Sequence, residues 1–235
     1  MQPKLEVVAL SPADAEAAEA GGADRVQVVG STDSDGLSPE PRLVSALRRS
    51  TDLPMRVMVR LSEGFSTTGG ELTRLVGLAE EYLSLGAEGL VFGFLDPDLE
   101  VDLEITGVMV DAIGGAPWTF HRAIDQALDY RRAWRQVKHL PGLDAVLTAG
   151  SASGSPAGGE ELLARAAEDA DVARLALVAG ALEPEQIPWL SRAGIRQFQL
   201  GSLARPGGSW TRSSVDAGYV RSWRTLVDDA AARQG

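Results

Sequence analysis

The sequence contains no cysteine. That removes disulfides, thiolate metal sites and cysteine nucleophiles as options. Histidine is nearly absent as well, with two residues in 235, so any imidazole chemistry must pass through His121 or His139. No run of about 18 apolar residues suggests a membrane span. No basic block exists either, and the formal net charge is −11. A general nucleic-acid binder needs a cationic face to neutralise phosphates, so that class is excluded. "MQPKLEVVAL" enters a strand pattern almost at once, which predicts a chain with no signal peptide and a cytoplasmic location. No Gly-x-Gly-x-x-Gly, Walker loop or His-Glu-x-x-His is present.

What is there is a repeat carried by turns. "GADRVQVVG" (22–30), "GAEGLVFGF" (86–94), "GLDAVLTAG" (142–150) and "GIRQFQLGS" (194–202) share a glycine, a small or apolar residue, a charge and then a β-rich run. The glycine suits the position just past a helix, where positive φ is needed. Each segment therefore reads as helix, turn and buried strand. Between them lie "LEVVAL" (5–10), "RVMVRL" (56–61), "PWTFHRA" (117–123) and "RLALVAG" (174–180), which makes eight strand candidates. Helical patterns separate them. One starts after Ser11 as N-cap, one spans 71–86 with a 3.6-residue period, and one is capped by Asp102. Strict alternation predicts a parallel sheet, and eight units predict a (βα)8 TIM barrel forming a single domain over 1–235. A doubly wound sheet is the alternative. "GSASGSPAGG" (150–159) reads as a flexible loop after the sixth strand.

In such a barrel, sites form at the C-terminal ends of the strands. Side-chain alternation points Glu6, Arg25, Gln27, Gln197 and Gln199 inward, with Arg60 ending the third strand and His121 the fifth. Glu6 and Arg25, on adjacent strands, form either a structural salt bridge or part of a site. Arg60, His121 and Arg122 on the rim of an acidic protein predict a small anionic ligand, phosphorylated or sugar-like. Gly180, Gly201, Ser202 and Arg205 are candidates for a phosphate cradle, although tight turns also need glycine. Asp96 is a candidate for a substrate hydroxyl or Mg²⁺. "LDPDLEVD" is not an EF-hand loop, because Val101 replaces the required glycine and Gly107 the glutamate. His139 reads as structural, at a helix C-terminus. In "WTFHRAID" (118–125), Thr119 and His121 share the barrel-facing side, Arg122 points the other way or turns into the loop, and Asp125 is placed to hold Arg122 or a neighbouring arginine. His121 is then the expected acid/base group, with Glu6 and Asp125 as carboxylate partners and Arg25, Arg60 and Arg122 as an anion clamp.

With those residues in hand, the sequence resembles the CutC family, named for copper homeostasis. The resemblance runs over roughly residues 5–203. It is carried by "LEVVALSPADAEAAEAGGADRVQ", "GLSPE", "VRLSEGF", "LVFGFLDPDLEVD", "TFHRAID", "VLTAG" and "VAGAL". It implies a TIM-barrel fold, a cytoplasmic homo-oligomer, and site positions at Glu6, Arg25, Arg60, His121, Arg122 and Asp125. The sequence departs from the family where cysteines commonly follow the first Leu-Glu, where Gln27 replaces a glutamate, and where the loop after the third strand is reduced to "RLSEGF". The resemblance thus implies a divergent member, with copper as a cofactor by family name alone. Two classes follow: an enzyme or binding protein for a small anion, or a copper-handling protein. A scaffold that has lost its activity is a third. Cu(I) prefers thiolate and thioether ligands, and this chain offers no cysteine and four methionines.

Overall fold

A computed structural model describes residues 2–32 and 36–233. Eight parallel strands close into a barrel in sequence order. They are β1 (Lys4–Ala9), β2 (Arg25–Val28), β3 (Met55–Met58), β4 (Gly89–Phe92), β5 (Trp118–Phe120), β6 (Leu143–Thr148), β7 (Ala176–Val178) and β8 (Gln197–Leu200). β1 pairs with β2 on one side and β8 on the other, which rules out the doubly wound alternative. Nine α-helices surround the strands among the described residues: α1 (Pro12–Ala20), α2 (Pro41–Arg48), α3 (Gly69–Ser84), α4 (Leu103–Ala112), α5 (Tyr130–Val137), α6 (Ser155–Glu168), α7 (Ala170–Leu175), α8 (Ile187–Arg192) and α9 (Ala217–Ala232). No helix among the described residues is long and apolar enough to cross a membrane.

The turn repeat has the backbone it requires. Gly22, Gly86, Gly142 and Gly194 all have positive φ. Three of them follow a helix cap directly and are succeeded by an N–H bonded back into the helix, as in Ala23 to Ala18 O at 3.0 Å. Gly142 instead sits in the loop after α5. The N-caps read from sequence are in place too. Ser11 Oγ accepts from Asp14 N at 3.2 Å, and Asp102 Oδ1 from Ile105 N at 2.9 Å.

Some boundaries differ from the sequence reading. β3 stops at Met58 and β5 at Phe120, so Arg60 and His121 both lie just beyond their strands. The run at 174–180 is a strand only over Ala176–Val178, because Arg174 and Leu175 finish α7. "GSASGSPAGG" is not wholly a loop: its second half is the first turn of α6. Pro156 suits a first turn, where its missing N–H costs nothing.

The core has two shells. Alternate strand residues such as Leu5, Val7, Val26, Val57, Phe92, Trp118 and Phe198 fill the space between strands and helices. Inside the barrel, Val8, Val29, Met58 and Val91 form one apolar cluster and Ala145, Leu147, Leu177 and Ala179 another. Buried polar side chains occupy the rest of the interior, with Glu6, Arg25, Gln27, Arg56, Thr119, Gln197 and Gln199 all buried.

Candidate functional site: a half-open barrel mouth

The C-terminal rim divides into a sealed half and an open half. Over β3–β5 the loop after β3 folds Phe65 down onto His121, with ring centres 5.4 Å apart and edge to face. The Arg60 guanidinium stacks 4.4 Å from the Phe65 ring centre. It also donates to the backbone oxygens of Glu63, Gly64 and Gly36. His121 is 3% exposed. Its Nδ1 accepts the Ala123 N–H at 3.2 Å and so caps the short 3-10 turn Arg122–Gln126. Burial, with the charge of Arg60 adding to it, pushes the imidazole down to about 3. At neutral pH this burial favours the neutral imidazole, and its Nδ1 is occupied by a backbone N–H. The expectation of an acid/base group tuned near 7 does not fit this placement.

Over β6–β8 and β1–β2 the described residues leave the mouth open, and a cavity of about 350 Å³ lies there. Val8, Val29 and Leu147 from inside the barrel line it with Gln27 and Gln199. One wall is the segment Ala152–Gly154 with Gly180 and Ala181, and the opposite wall is Gly201, Ser202, Leu203 and Trp210. The three small residues expected at a phosphate cradle, Gly180, Gly201 and Ser202, are thus brought together around one space. Gly201 is required by contact, since a Cβ there would come within 2.7 Å of the Trp210 indole.

Arg122 is the one charged side chain among the described residues that line this cavity. Asp125 holds it: Oδ2 accepts from Arg122 Nε at 2.9 Å. The guanidinium also donates to Ser151 O at 3.3 Å and Ala152 O at 3.4 Å, which ties it to the near wall. The Asp125 carboxylate accepts in addition from Ala149 N at 2.8 Å and from Thr148 Oγ1 at 2.5 Å, joining the β5 loop to the end of β6. Burial pushes the Asp125 carboxyl upward, and those three donors pull it back part of the way. Thr148 Oγ1 is in turn bonded to Tyr130 OH at 2.9 Å. Asp125 holds the arginine and does not itself line the cavity.

The remaining sequence candidates lie elsewhere. Glu6 and Arg25 form a buried ion pair beneath the cavity floor, through Glu6 Oε2 and Arg25 Nε. The register explains it, because Glu6 is opposite Arg25 in one ladder and Gln199 in the other. The clamp of Arg25, Arg60 and Arg122 is therefore not assembled, since only Arg122 reaches the open half. Asp96 caps its own turn, accepting from Asp98 N and Glu100 N at 2.9 Å each, and does not face the cavity. Arg205 is bonded to Asp14 at 2.7 Å and to the carbonyl of Ser213 at 2.9 Å, and it does not line the cavity.

Two features escaped the sequence reading. Arg56, inward by the same alternation that places Met58, pairs with Asp144 across the barrel bottom. Trp210 reaches the cavity from the loop after β8, and no periodicity signals that. As for a metal, no group of three or more His, Cys, Asp or Glu that could hold one exists among the described residues. The cavity offers neither imidazole, thiol nor thioether from them, so the donor set does not fit copper.

The family model described as the CutC family matches residues 3–203. A CutC family protein from Xylella fastidiosa is 36% identical over 199 residues, covering 84% of this chain and 74% of the relative. Another from Klebsiella pneumoniae is 32% identical over 216 residues, covering 90% and 83%. Among solved structures, the putative copper homeostasis protein CutC from Streptococcus agalactiae aligns with a TM-score of 0.75 at 21% identity, covering 85% of this chain and 98% of that one. A thiamine phosphate pyrophosphorylase from Pyrococcus furiosus aligns at 0.60 with 16% identity, covering 97% and 96%. At those identities the structural likenesses speak for the fold. The family model and the sequence relatives go further, and on them the chain belongs to the CutC family.

Proposed function

We propose that the protein binds or transforms a small anionic ligand, phosphorylated or sugar-like, in the cavity at the C-terminal rim. The observation that supports this best is Arg122, the single charge among the described lining residues, oriented by a buried carboxylate. A guanidinium presents a planar fork of N–H donors that suits carboxylate or phosphate oxygens, and such charge-assisted bonds are the strong ones. Gly180, next to the Arg122 guanidinium, and Ser202 across the cavity leave room for the anion. Calorimetric titration with inorganic phosphate and with benzoate tests the reading. Arg122→Met is expected to weaken binding roughly ten- to a hundredfold, the range for losing hydrogen bonds to a charged group. Equal affinity in wild type and variant would sink it.

A second reading, copper handling, is favoured by the name of the Streptococcus agalactiae structure. Titration with Cu(I) and Cu(II) against a competing chelator separates the two. Tight stoichiometric binding that His121→Ala abolishes would reverse the ranking. The proposal also takes the protein as cytoplasmic and homo-oligomeric. In support, Leu128 is 79% exposed beside Leu99, itself 46% exposed. Light scattering that finds only monomer at micromolar concentration would remove the oligomer.

A further inference from the structure

The cavity floor has a fixed polarity, and it is set from below. Glu6 Oε2 is paired with Arg25, and Glu6 Oε1 accepts from Gln199 Nε2 at 2.6 Å. Glu6 Oε1 is the acceptor in this bond, so the Gln199 amide turns its NH2 toward Glu6. The second hydrogen of that NH2 goes to Gln27 Oε1. This fixes Gln27 in turn, with its oxygen toward Gln199 and its NH2 directed away. Two polar atoms are left over: Gln199 Oε1, an acceptor, and Gln27 Nε2, a donor. Neither has a partner among the described residues, and neither is sealed from the cavity that both side chains line. Both residues are more than nine-tenths buried, Gln27 at 2% and Gln199 at 7% exposure. Buried amides left half-satisfied are costly, and a ligand that completes them gains by it.

We infer that the cavity recognises a planar ring bearing a lactam-type edge, an N–H beside a C=O, together with an anionic substituent. The inference rests on the anionic-ligand reading and names the class of ligand within it. The ring C=O accepts from Gln27 Nε2, and the ring N–H donates to Gln199 Oε1. The ring lies against the apolar wall of Trp210, Leu203 and Leu147, and the anion reaches Arg122. Gln27 is decisive here. A glutamate at this position would present only acceptors to the ring carbonyl.

The test compares four probes by calorimetry. Orotate carries the lactam edge and a carboxylate, benzoate the ring and carboxylate alone, uracil the lactam alone, and glucose 6-phosphate an anion on a sugar. Orotate is expected to bind at least roughly tenfold tighter than benzoate, as one or two neutral hydrogen bonds allow, and tighter than uracil and glucose 6-phosphate. In Gln27→Met that preference over benzoate disappears. Gln27→Glu, which keeps the side-chain shape but removes the donor, is expected to lose it too. Orotate and benzoate binding alike, both still dependent on Arg122, would overturn the lactam edge and leave the anionic reading standing. Glucose 6-phosphate binding tightest would do the same in favour of a sugar. If none of the three anions binds, both readings fall together.

Discussion

At the residue scale, His121 and Arg122 divide the work that their adjacency invites one to combine. His121 turns inward, under Phe65, and gives its Nδ1 to the backbone. Arg122 turns to the open half and is held by Asp125. Strand alternation made this separation legible in the sequence, as it did the inward turn of Glu6, Arg25, Gln27 and Gln199. What alternation does not carry is which inward residue a loop will cover. Phe65 decides that for His121, from a segment with no period. The burial has a measurable consequence. The folded-state value of His121, about 3, lies below the ordinary 6.5 or so of an unfolded histidine. Below pH 6.5 the unfolded chain takes up a proton that the folded one refuses, so stability is lost as pH falls from 6.5 toward 3. The span is worth up to roughly 5 kcal/mol. Asp125, pushed upward by burial, acts in the opposite direction: its contribution is present at low pH and lost as pH rises through its folded value. His121→Asn keeps an acceptor for the Ala123 N–H and cannot be protonated. Urea midpoints from pH 7 to 4 are expected to fall less steeply for the variant than for wild type, with Asp125 cancelling in the difference. Parallel profiles would show that His121 is not buried neutral.

At the element scale, α6 shows why composition misled. Its first turn is built of small residues that read as a loop, yet smallness serves contact here. A Cβ on Gly158 would lie 2.2 Å from Ala149 O and 2.4 Å from Gly150 C. The helix start is thereby docked backbone to backbone on the end of β6. Ser155 N donates to Gly180 O at 2.7 Å, fastening it to the β7 turn as well. These contacts hold the Ala152–Gly154 wall of the cavity in place. Sequence periodicity reports helices through their apolar stripe, and a close approach of backbones leaves no stripe. Gly158→Ala is therefore expected to destabilise by about 2 kcal/mol or more through overpacking, despite a helix-propensity gain of up to about 1 kcal/mol. Gly77→Ala in α3 is the matched control. Nothing lies within 4 Å of the Cβ it would add, so the propensity gain should appear as a raised thermal midpoint. Two variants shifting in the same direction would contradict the docking argument.

At the scale of the whole molecule, the barrel must close between its first and last strands, and the polar groups concentrate at that seam. β1 meets β8 with Glu6 opposite Gln199. Above it, Arg205 from the loop after β8 reaches Asp14 in the first turn of α1 at 2.7 Å, with both side chains 2% exposed. Asp14 also accepts from Leu10 N and Val215 N, at 2.9 Å each. One carboxylate thus joins β1, α1, the β8 loop and the approach to α9. The guanidinium lies 5.2 Å from the ring centre of Trp210, so the staple also steadies a cavity wall. The eightfold repeat announced the barrel, but this seam involves partners 191 residues apart, a separation that no local pattern encodes. Taking a charge out of water is repaid only while its partner stays. Arg205→Met strands Asp14 in the interior and is expected to cost about 3–5 kcal/mol in urea unfolding. Asp14→Asn alone strands the arginine. In the double variant no charge is left uncompensated, and the asparagine amide still offers an oxygen to one of the two backbone N–H groups. Its loss should therefore fall short of the sum of the singles by roughly 1 kcal/mol or more, the coupling expected of residues in one network. Additive losses would show that Arg205 and Asp14 hold the seam independently. The position of Trp210 supplies a second readout. Its fluorescence should shift in Arg205→Met even where the barrel remains folded, because the indole loses the cation packed on its ring.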